Sequence, residues 1–503
     1  MNTRLKFSGN LYNDILATNG MDEIDYEYID YDMLVYKTPK SKRLVDFIAS
    51  HNRVVFCSDA DADGISAAKV AKECYPNAIY VFGDRNGERG LTPNLFEEIN
   101  SFYQPDAIIT LDCGISNFDG INLAKSNGVD VFVTDHHQPE QTLPDCEIIN
   151  PWLESYDFKA LCGAGVIYAA LSDVYGANDN ALQYAALGTI CDVVPVICDN
   201  RYLIRQGLKL INSAPTNGIR QTLNALHING TITEKKIGWY LGPAINAASR
   251  LNKTNVAVSA LLDENPDSAL GLNELNTQRK KLTIQAIEEA DITVTDGIVI
   301  AITKNNEIGI AGLIANRLGN AHYRPACVMS LNGAAYKASL RTGDYWSAVD
   351  LIQGYDIITG GGHFGAAGFT FAKKDLQQVI EYIINYSQEA KSRYESQVKY
   401  SADIEISLDD AIGNFADIQA LSPYGQSFSI PTFMSTVTLD SMKSKYTQNM
   451  HLSFQIGNTQ AYYYNPPSEV VMDSPINIVY EVEYSDWKKK PQIVILKTEG
   501  ETK

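Results

Sequence analysis

The chain has 503 residues, of which 45% are hydrophobic, 10% aromatic and 20% charged. This composition excludes a fibrous or generally disordered protein, and the length predicts about three domains at roughly 150 residues each. We find no apolar run long enough to span a membrane and no signal-peptide core, and the eight cysteines form no C-x-x-C pair. A cytoplasmic protein with reduced thiols is therefore expected.

Lysine and arginine number 41 and aspartate and glutamate 60, so the net charge is −19. Such a charge repels polyanions at long range and by itself argues against a nucleic-acid partner. Part of the acidic excess lies in residues 22–32. A cluster of carboxylates that a divalent metal neutralises would account for another part.

The first half of the chain predicts a parallel sheet. Short β-branched runs at 53–56, 78–82, 107–111 and 129–133 alternate with helical patterns, as in βαβ units. Three of the runs are followed within a few residues by Asp59, Asp112 and Asp135. Open α/β sheets bind ligands at the carboxyl ends of their strands, so these carboxylates are expected to converge.

The rest of the chain divides into further units. A mainly helical region precedes a long helix that begins at Pro266, a second α/β pattern ends in a glycine cluster, and alternating residues near the C-terminus predict short antiparallel strands. We therefore expect an α/β fold with a parallel-sheet domain and N-terminal extension (1–262), a connecting helix (263–291), a smaller α/β domain (292–375), a linker helix (376–397) and an all-β barrel (398–503).

The string from Ser58 to Gly64 places acids at alternate positions: Asp59, Asp61 and Asp63. Carboxylates so close together repel one another, and ligation by oxygen alone suits a hard cation such as magnesium or manganese. A solvated turn with an aspartate helix cap remains the alternative. A helix-flanked calcium loop is excluded because no glutamate follows at the required distance and a strand precedes the string.

Three more acidic positions occur in distinctive strings. Asp112 follows its strand alone, Asp135 precedes the adjacent His136 and His137, and Asp192 lies in an apolar run. Taken singly, Asp112 suits a helix cap and the histidines suit packed or surface positions. Taken together, imidazole beside carboxylates favours a transition metal such as manganese over calcium. An unpaired Asp192 would be costly to bury, so a cation is expected beside it.

These strings resemble the DHH phosphoesterase superfamily and, within it, the RecJ-like exonucleases that degrade single strands from the 5′ end. The resemblance also covers strings at 162–166, 199–201, 242–250, 360–368, 421–425 and 431–433. It implies a DHH catalytic domain, a DHH-associated domain at 292–375 and an oligonucleotide-binding (OB-like) nucleic-acid-binding barrel at the C-terminus.

The resemblance also implies roles for the acidic strings. One or two manganese or magnesium ions would be held by Asp61, Asp63, Asp112, His136 and Asp192. Asp59 and Asp135 would support these ligands, and Asp112 is the candidate bridge between two ions. The remaining catalytic candidates, which would lie near the scissile phosphate, are His137 and His363.

A second set of residues would bind the substrate. In RecJ-like enzymes a terminal 5′ phosphate would be clasped by arginines and a serine, and glycine amides would approach a phosphate. The positions are Arg85, Asn246, Arg250, Ser339, Arg341, Gly360, Gly361 and Gly362. Without the family, surface ion pairs explain the arginines and a tight turn explains the glycines. The chain departs from the family pattern at Ser249, Glu307 and Ala338.

The leading hypothesis is a metal-dependent exonuclease that degrades single-stranded DNA from the 5′ end and releases mononucleotides during recombination and repair. A single-strand-binding protein or a helicase is a candidate partner. A phosphodiesterase for short oligonucleotides or cyclic dinucleotides remains an alternative, although Cys57 stands where such relatives generally carry a histidine. A non-catalytic replication scaffold is the third possibility, but it would be expected to have lost some of the acids.

Overall fold

The structure is a computed structural model that describes residues 3–83, 89–304, 308–394, 402–446, 451–464, 466 and 470–499. None of the described helices combines the length and the apolar character that a membrane span requires. Arg85 and Glu307, which the sequence analysis singled out, lie outside the described residues.

The strands are numbered along the chain. They are β1 (Thr3–Lys6), β2 (Val54–Ser58), β3 (Ile79–Phe82), β4 (Ala107–Leu111), β5 (Asp130–Thr134), β6 (Glu147–Ile149), β7 (Asp291–Val294), β8 (Val299–Thr303), β9 (Ala326–Asn332), β10 (Ala335–Arg341), β11 (Thr359–His363), β12 (Ala366–Ala372), β13 (Ala402–Glu405), β14 (Phe433–Thr438), β15 (Ser444–Tyr446), β16 (Leu452–Ile456), β17 (Thr459–Tyr463), β18 (Pro475–Ser485) and β19 (Lys490–Thr498).

The helices follow the same order. They are α1 (Leu11–Thr18), α2 (Glu23–Ile29), α3 (Ser41–Ser50), α4 (Ala62–Cys74), α5 (Pro93–Tyr103), α6 (Phe118–Ser126), α7 (Gly163–Tyr175), α8 (Asp179–Cys191), α9 (Cys198–Ser213), α10 (Asn217–Ala225), α11 (Glu234–Lys236), α12 (Gly242–Arg250), α13 (Thr254–Leu261), α14 (Pro266–Glu289), α15 (Ala311–His322), α16 (Ala348–Gln353), α17 (Leu376–Tyr394), α18 (Leu408–Gly413) and α19 (Phe415–Ala420).

The first sheet confirms the predicted parallel arrangement. Its order is β3-β2-β4-β5-β6, and every neighbouring pair is parallel. Phe56 packs in the core that contains α4 and α7, whereas the adjacent Val55 packs with residues of α5 and α6. Helices on both faces explain why the strands read as continuous apolar runs. All the strand ends that carry Asp59, Asp112 and Asp135 consequently lie at one edge.

A long helix leads to the second sheet. Helix α14 begins where predicted, because Asn265 caps it and Pro266 occupies its first turn. The sheet that follows has the order β11-β12-β10-β9-β8-β7, with β8 and β9 parallel and the other neighbours antiparallel. Helix α17 then runs over most of the predicted 376–397 helix.

The third sheet contains strands from both ends of the chain. Its eight strands have the order β1-β13-β14-β18-β19-β17-β16-β15. The prediction of purely antiparallel strands is wrong in part, because the pairs β1-β13, β13-β14 and β17-β19 are parallel. Short helices α18 and α19 supply the connection that a parallel neighbour requires. The pairings describe a sheet, and closure into a barrel stays a prediction.

The N-terminal extension packs with the C-terminal sheet. Leu11, Ile15 and Tyr26 belong to the same apolar core as Phe433 and Tyr480. Strand β1 also pairs with β13. The predicted boundaries attached residues 1–50 to the catalytic domain, whereas these contacts connect the start of the extension to residues after 402.

Arg201 of α9 joins the extension, the first domain and the C-terminal unit. Its guanidinium is fully buried and donates to Asp30 Oδ1 (2.9 Å), to the Tyr26 hydroxyl (2.7 Å) and to the carbonyls of Pro423 (2.7 Å) and Leu421 (2.8 Å). The guanidinium carbon also lies 4.7 Å from the Phe428 ring centre. A buried charge is tolerated only when its donors are satisfied, as they are here. The acidic opening segment thus supplies the carboxylate that neutralises Arg201.

We predict that Arg201→Ala destabilises the protein by about 3–5 kcal/mol, because it leaves the Asp30 carboxylate and two carbonyls without their buried donor. The nearby Arg205→Ala is the matched control. Arg205 pairs with Asp30 and with the exposed Asp32, so its loss should cost about 1 kcal/mol or less. Denaturant unfolding measures both, and equal losses would contradict the assigned role of Arg201.

Candidate active site

The carboxyl end of β2 turns directly into α4 and carries the first acids. Asp61 caps the helix, since its side chain accepts from the amides of Asp63 (3.1 Å) and Gly64 (3.3 Å). Asp59 is buried, and its Oδ1 accepts from the Ala60 amide at 2.8 Å. The helix-cap alternative is therefore right for Asp61, but a cap leaves other lone pairs of its carboxylate available for a cation.

Asp63 faces the start of a second helix. Its two oxygens accept from the amides of Gly163 (2.7 Å) and Ala164 (3.0 Å), where α7 begins. A helix N-terminus presents unpaired amides to an anion, so α7 holds this buried carboxylate in place. A Cβ at Gly163 would approach Asp112 Oδ1 to 2.5 Å, and one at Gly188 would approach Asp63 Oδ1 to 2.4 Å. Glycine is required at both positions because the carboxylates pass so close.

Asp112 occupies the centre of the cluster. It follows β4 with φ +58°, a left-handed conformation that aspartate and asparagine adopt more readily than most residues. The side chain is buried, and Oδ1 has no hydrogen-bond partner among the described residues. Burial, together with the charges of Asp63, Asp61, Asp59 and Asp192, raises the pKa of Asp112 well above its usual value.

Asp135 follows β5 and positions the two histidines. Its Oδ1 accepts from the amide of His136 (2.7 Å) and from Nδ1 of His137 (2.8 Å), while Oδ2 accepts from the Ile115 amide (2.9 Å). Burial raises the pKa of Asp135, but these bonds and the imidazole charges outweigh it and lower the pKa. Burial likewise lowers the pKa of His137, yet the bond to Asp135 and nearby carboxylates raise it to about 9.

His136 points into the acidic cluster. Its Nε2 lies 3.1 Å from Asp112 Oδ1, 3.7 Å from Asp192 Oδ2 and 4.0 Å from Asp63 Oδ2. Burial, followed by the charge of His137, lowers the pKa of His136, and a neutral imidazole is the form that binds metals. Asp192 ends α8, and burial with the charges of Asp63 and Asp61 raises its pKa well above the usual value.

Ligand atoms of these residues form three groups, each within 4.8 Å. The groups are Asp63, His136 and Asp192; Asp59, Asp61 and Asp112; and Asp112, Asp135, His136 and His137. Asp112 belongs to two groups, as a bridging carboxylate would. An unpartnered buried oxygen, raised aspartate pKa values and a donor set of oxygen with imidazole nitrogen all fit a divalent cation such as manganese or magnesium.

A separate cavity of about 350 Å³ concentrates positive charge. Its lining includes the predicted Arg250, Ser339, Arg341 and Gly360. Arg341 Nη1 donates to Ser339 Oγ (3.0 Å), and Arg250 Nη1 donates to the Gly309 carbonyl (3.1 Å). Burial and then the charge of Arg89 lower the pKa of Arg341. Like charges brought together in a polar cavity favour an anionic ligand such as phosphate.

Helix α12 connects the cavity to the acidic cluster. Asn246 Oδ1 accepts from the Ala62 amide (2.9 Å) and so holds the start of α4. Arg250 lies one turn further along the same face, about 6 Å away at 1.5 Å per residue, and lines the cavity. Asn246, predicted to bind substrate, thus also positions the loop of Asp61 and Asp63. Ser249 is buried beside it and donates to the Asn246 carbonyl at 3.2 Å.

The remaining predicted residues lie on the edge strand β11. Gly360 and Gly362 pack against β12, where an added Cβ would approach the carbonyls of Gly368 (2.1 Å) and Ala366 (2.4 Å). Gly361 faces open space. His363 is exposed at the end of β11 and, among the described residues, belongs to none of the three acidic groups. The glycines therefore form strand pairs rather than the tight turn considered from the sequence.

Sequence reasoning missed four contributors. Gly163 and Gly188 make room for the buried carboxylates, and Arg89 and Lys337 line the cavity. The spacing of glycines beside the acids was the available signal for the first two. Lys337 alternates with Ser339 and Arg341 along β10, which places all three on one face of the strand.

Comparisons with known proteins agree with this geometry. Residues 53–191 match the model of the DHH family, N-terminal domain. These residues therefore form a DHH-family N-terminal domain. This DHH protein is 27% identical to the "Single-stranded-DNA-specific exonuclease RecJ" of Bacillus subtilis, over 90% of this chain and 62% of the relative. It is also 27% identical to the RecJ of Dickeya dadantii, over 80% of this chain and 78% of the relative.

A solved structure shows the same fold. RecJ from Thermus thermophilus, crystallised with Mn²⁺, superposes with a TM-score of 0.79 at 21% identity, covering 97% of this chain and 76% of the other. The predicted α/β architecture is thereby confirmed for this DHH protein. The chain spans 62% of the length of the Bacillus subtilis relative, so the activity of the whole relative does not transfer to it directly.

We predict that Asp112→Asn raises the melting temperature of this DHH protein in chelator. Asparagine keeps the shape and tolerates the left-handed backbone, while one of the mutually repelling buried charges is removed. A gain of about 1 kcal/mol corresponds to a rise of roughly 2–4 °C. Added manganese should stabilise the unmodified protein more than the variant. A variant that melts lower in chelator, or that gains as much from manganese, would contradict the placement of Asp112.

Proposed function

We propose that this protein is a metal-dependent exonuclease that hydrolyses single-stranded DNA from the 5′ end and releases mononucleotides. The observation that carries the proposal is the convergence of Asp63, Asp112, His136 and Asp192 in one cluster, where burial and the neighbouring acids raise the pKa values of Asp112 and Asp192. The exonuclease names of the relatives support the reaction and the substrate. The cavity of Arg250 and Arg341 supports a substrate with a terminal phosphate.

Each group of residues takes a part in this proposal. Asp61, Asp63, Asp112, His136 and Asp192 would hold one or two manganese or magnesium ions, with Asp112 as the candidate ligand shared by two ions. When bound, such ions activate a water molecule and neutralise charge on the phosphate. The N-terminus of α7 fixes Asp63, and Asp135 fixes both histidines through three of its accepted hydrogen bonds, while the fourth comes from the Ile115 amide. Asp59 supports the cluster from the end of β2.

The second domain orients the strand in this proposal. Arg250 and Arg341 offer planar sets of donors that match phosphate oxygens, and Ser339 fixes the Arg341 guanidinium. Arg85 is proposed to join them, and the exposed Gly361 leaves room for a backbone or phosphate to approach β11. His137 and His363 are proposed to lie near the scissile phosphate, with His363 approaching from the second domain. Gly360 lines the cavity, and Gly362 lies two residues further along the same strand.

The intact acidic cluster argues against a scaffold without catalysis, because a protein relieved of metal binding has no reason to keep repelling carboxylates buried. A phosphodiesterase for short oligonucleotides or cyclic dinucleotides shares the same chemistry and is separated from an exonuclease by substrate length. Recruitment by a single-strand-binding protein or a helicase, a cytoplasmic location and a role in recombination and repair stay predictions.

We predict that the protein with manganese or magnesium releases labelled mononucleotide at once from a 5′-labelled single strand and only late from a 3′-labelled strand. Asp112→Asn and His136→Ala should lower the rate by at least about a thousandfold while their circular-dichroism spectra stay unchanged. Duplex DNA and chelator are the negative controls. Hydrolysis restricted to dinucleotides would favour the phosphodiesterase alternative, and full activity in either variant would contradict the site.

We further predict that Arg341→Ala raises KM for 5′-phosphorylated strands by about tenfold or more and changes KM for 5′-hydroxyl strands much less. A charge-assisted hydrogen bond to phosphate contributes about 1.5–3 kcal/mol, and only the phosphorylated end can form it. Arg317→Ala, on an exposed part of α15 outside the cavity lining, is the matched control. Equal effects on both kinds of end would show that Arg341 binds elsewhere on the strand.

A further inference from the structure

Exposed aromatic rings cluster where the first domain meets the third sheet. Trp239 is 71% exposed, Tyr240 57% and Tyr464 48%. The rings of Tyr462 and Tyr464 stack with centres 6.2 Å apart and planes 9° from parallel. Lys235, just before Trp239 and Tyr240, pairs with Glu481 (2.9 Å) and Glu483 of β18, which places the two pairs of rings on neighbouring parts of the same surface. We call Trp239, Tyr240, Tyr462 and Tyr464 the aromatic ridge.

The local backbone directs these rings outward. Residues Ile237–Leu241 form a π-helical turn, in which the Gly242 amide donates to the Ile237 carbonyl five residues earlier. Ile237 and Leu241 are fully buried, so the same turn that anchors itself in the core leaves Trp239 and Tyr240 in solvent. Single π-helical turns occur frequently at functional sites, and clustered exposed rings mark binding surfaces.

The ridge is continuous with the candidate active site. A Cβ at Gly238 would lie 3.6 Å from Ile190, and one at Gly242 would lie 2.6 Å from the Cys191 sulfur, so the turn packs against the end of α8 that carries Asp192. The same turn runs directly into α12, which ends at Arg250. Trp239 and Arg250 are eleven residues apart, or about 16 Å at 1.5 Å per residue.

Positive charge accompanies the ridge in spite of the acidic chain. Lys235 Nζ lies 5.9 Å from the Trp239 ring centre, but it pairs with Glu481 (2.9 Å) and Glu483, and Lys236 pairs with Asp486 (2.7 Å) in the turn between β18 and β19. Carboxylates therefore offset these two charges, and the remaining positive charge comes from the turn itself. Trp487, which is 85% exposed, and three consecutive lysines follow in that turn. Two of these lysines donate to neutral acceptors, at Gln460 Oε1 (2.8 Å) and the Asn458 carbonyl (3.2 Å), so their charges are not cancelled by these bonds.

We propose that the aromatic ridge is a stacking platform for the bases of the single strand beyond the scissile bond. This inference rests on the proposed function and adds the residues that would bind the rest of the substrate. Rings that stack on bases, interleaved with lysines that pair with phosphates, are the combination by which proteins bind single strands without reading their sequence. An apolar protein segment would use the rings but would gain nothing from the lysines.

Binding and hydrolysis are measured separately to test the inference. The Asp112→Asn protein, which cannot cut the strand, is titrated with 5′-phosphorylated oligothymidylates of about 20 and about three nucleotides that carry a 3′ fluorophore. Adding Trp239→Ala or Tyr464→Ala should raise Kd for the long strand by about tenfold and leave the short strand within about twofold, because stacking is lost only where bases reach the ridge. Trp239→Phe should restore most of the affinity.

The matched control is Phe102→Ala. Phe102 is 75% exposed near the end of α5. Helix α5 connects two parallel strands and therefore runs antiparallel to them, so its end lies at the edge of the sheet opposite the acids. Long-strand affinity within about twofold of the parent in both ridge variants, or no strand binding at all, would overturn the inference. If the unmodified protein hydrolyses the strand but the ridge substitutions leave its affinity unchanged, only the inference about the ridge is refuted. If the ridge substitutions weaken binding but the unmodified protein does not hydrolyse the strand, only the proposed nuclease activity is refuted.

Discussion

Mutual repulsion among buried carboxylates is the constraint on which the rest of this molecule depends. Asp59, Asp63 and Asp112 are nearly inaccessible to water, and the charges of Asp59 and Asp63 raise the pKa values of Asp112 and Asp192. The fold offsets part of this cost with the helix N-terminus at Asp63 and the histidines at Asp135. It leaves Asp112 Oδ1 without a partner. With Oδ1 of Asp112 lacking a hydrogen bond and facing His136 Nε2 at 3.1 Å, the centre of the cluster is suited to receive a cation.

The parallel sheet made much of this site predictable from the sequence. Side chains that follow neighbouring parallel strands must meet at one edge, so Asp59, Asp112 and Asp135 could be brought together without a structure. Asp192 follows a helix rather than a strand, and its placement depended on the family resemblance. Helix α12 was harder still, because no periodicity reveals that Asn246 will hold the start of α4 while Arg250, one turn later, reaches another domain.

The N-terminal extension shows where sequence reasoning fails for a physical reason. Residues 22–32 stand out in the sequence only for their acidic charge, yet Tyr26 and Ile29 enter the C-terminal core and Asp30 neutralises a buried arginine. The sequence around Asp30 and the sequence around Arg201 give no sign that these two residues form an ion pair. The pairing of β1 with β13 joins strands from opposite ends of the chain, and local patterns carry no information about so distant a neighbour.

The distribution of charge reconciles a net charge of −19 with a polyanionic substrate. The acids of the cluster lie where a divalent cation would offset their negative charge, and the arginines lie in the cavity that faces helix α12. Exposed charges separated by more than about 8–10 Å interact weakly at physiological salt. A strand lying between the cavity and the cluster would therefore respond to these local fields and not to the total.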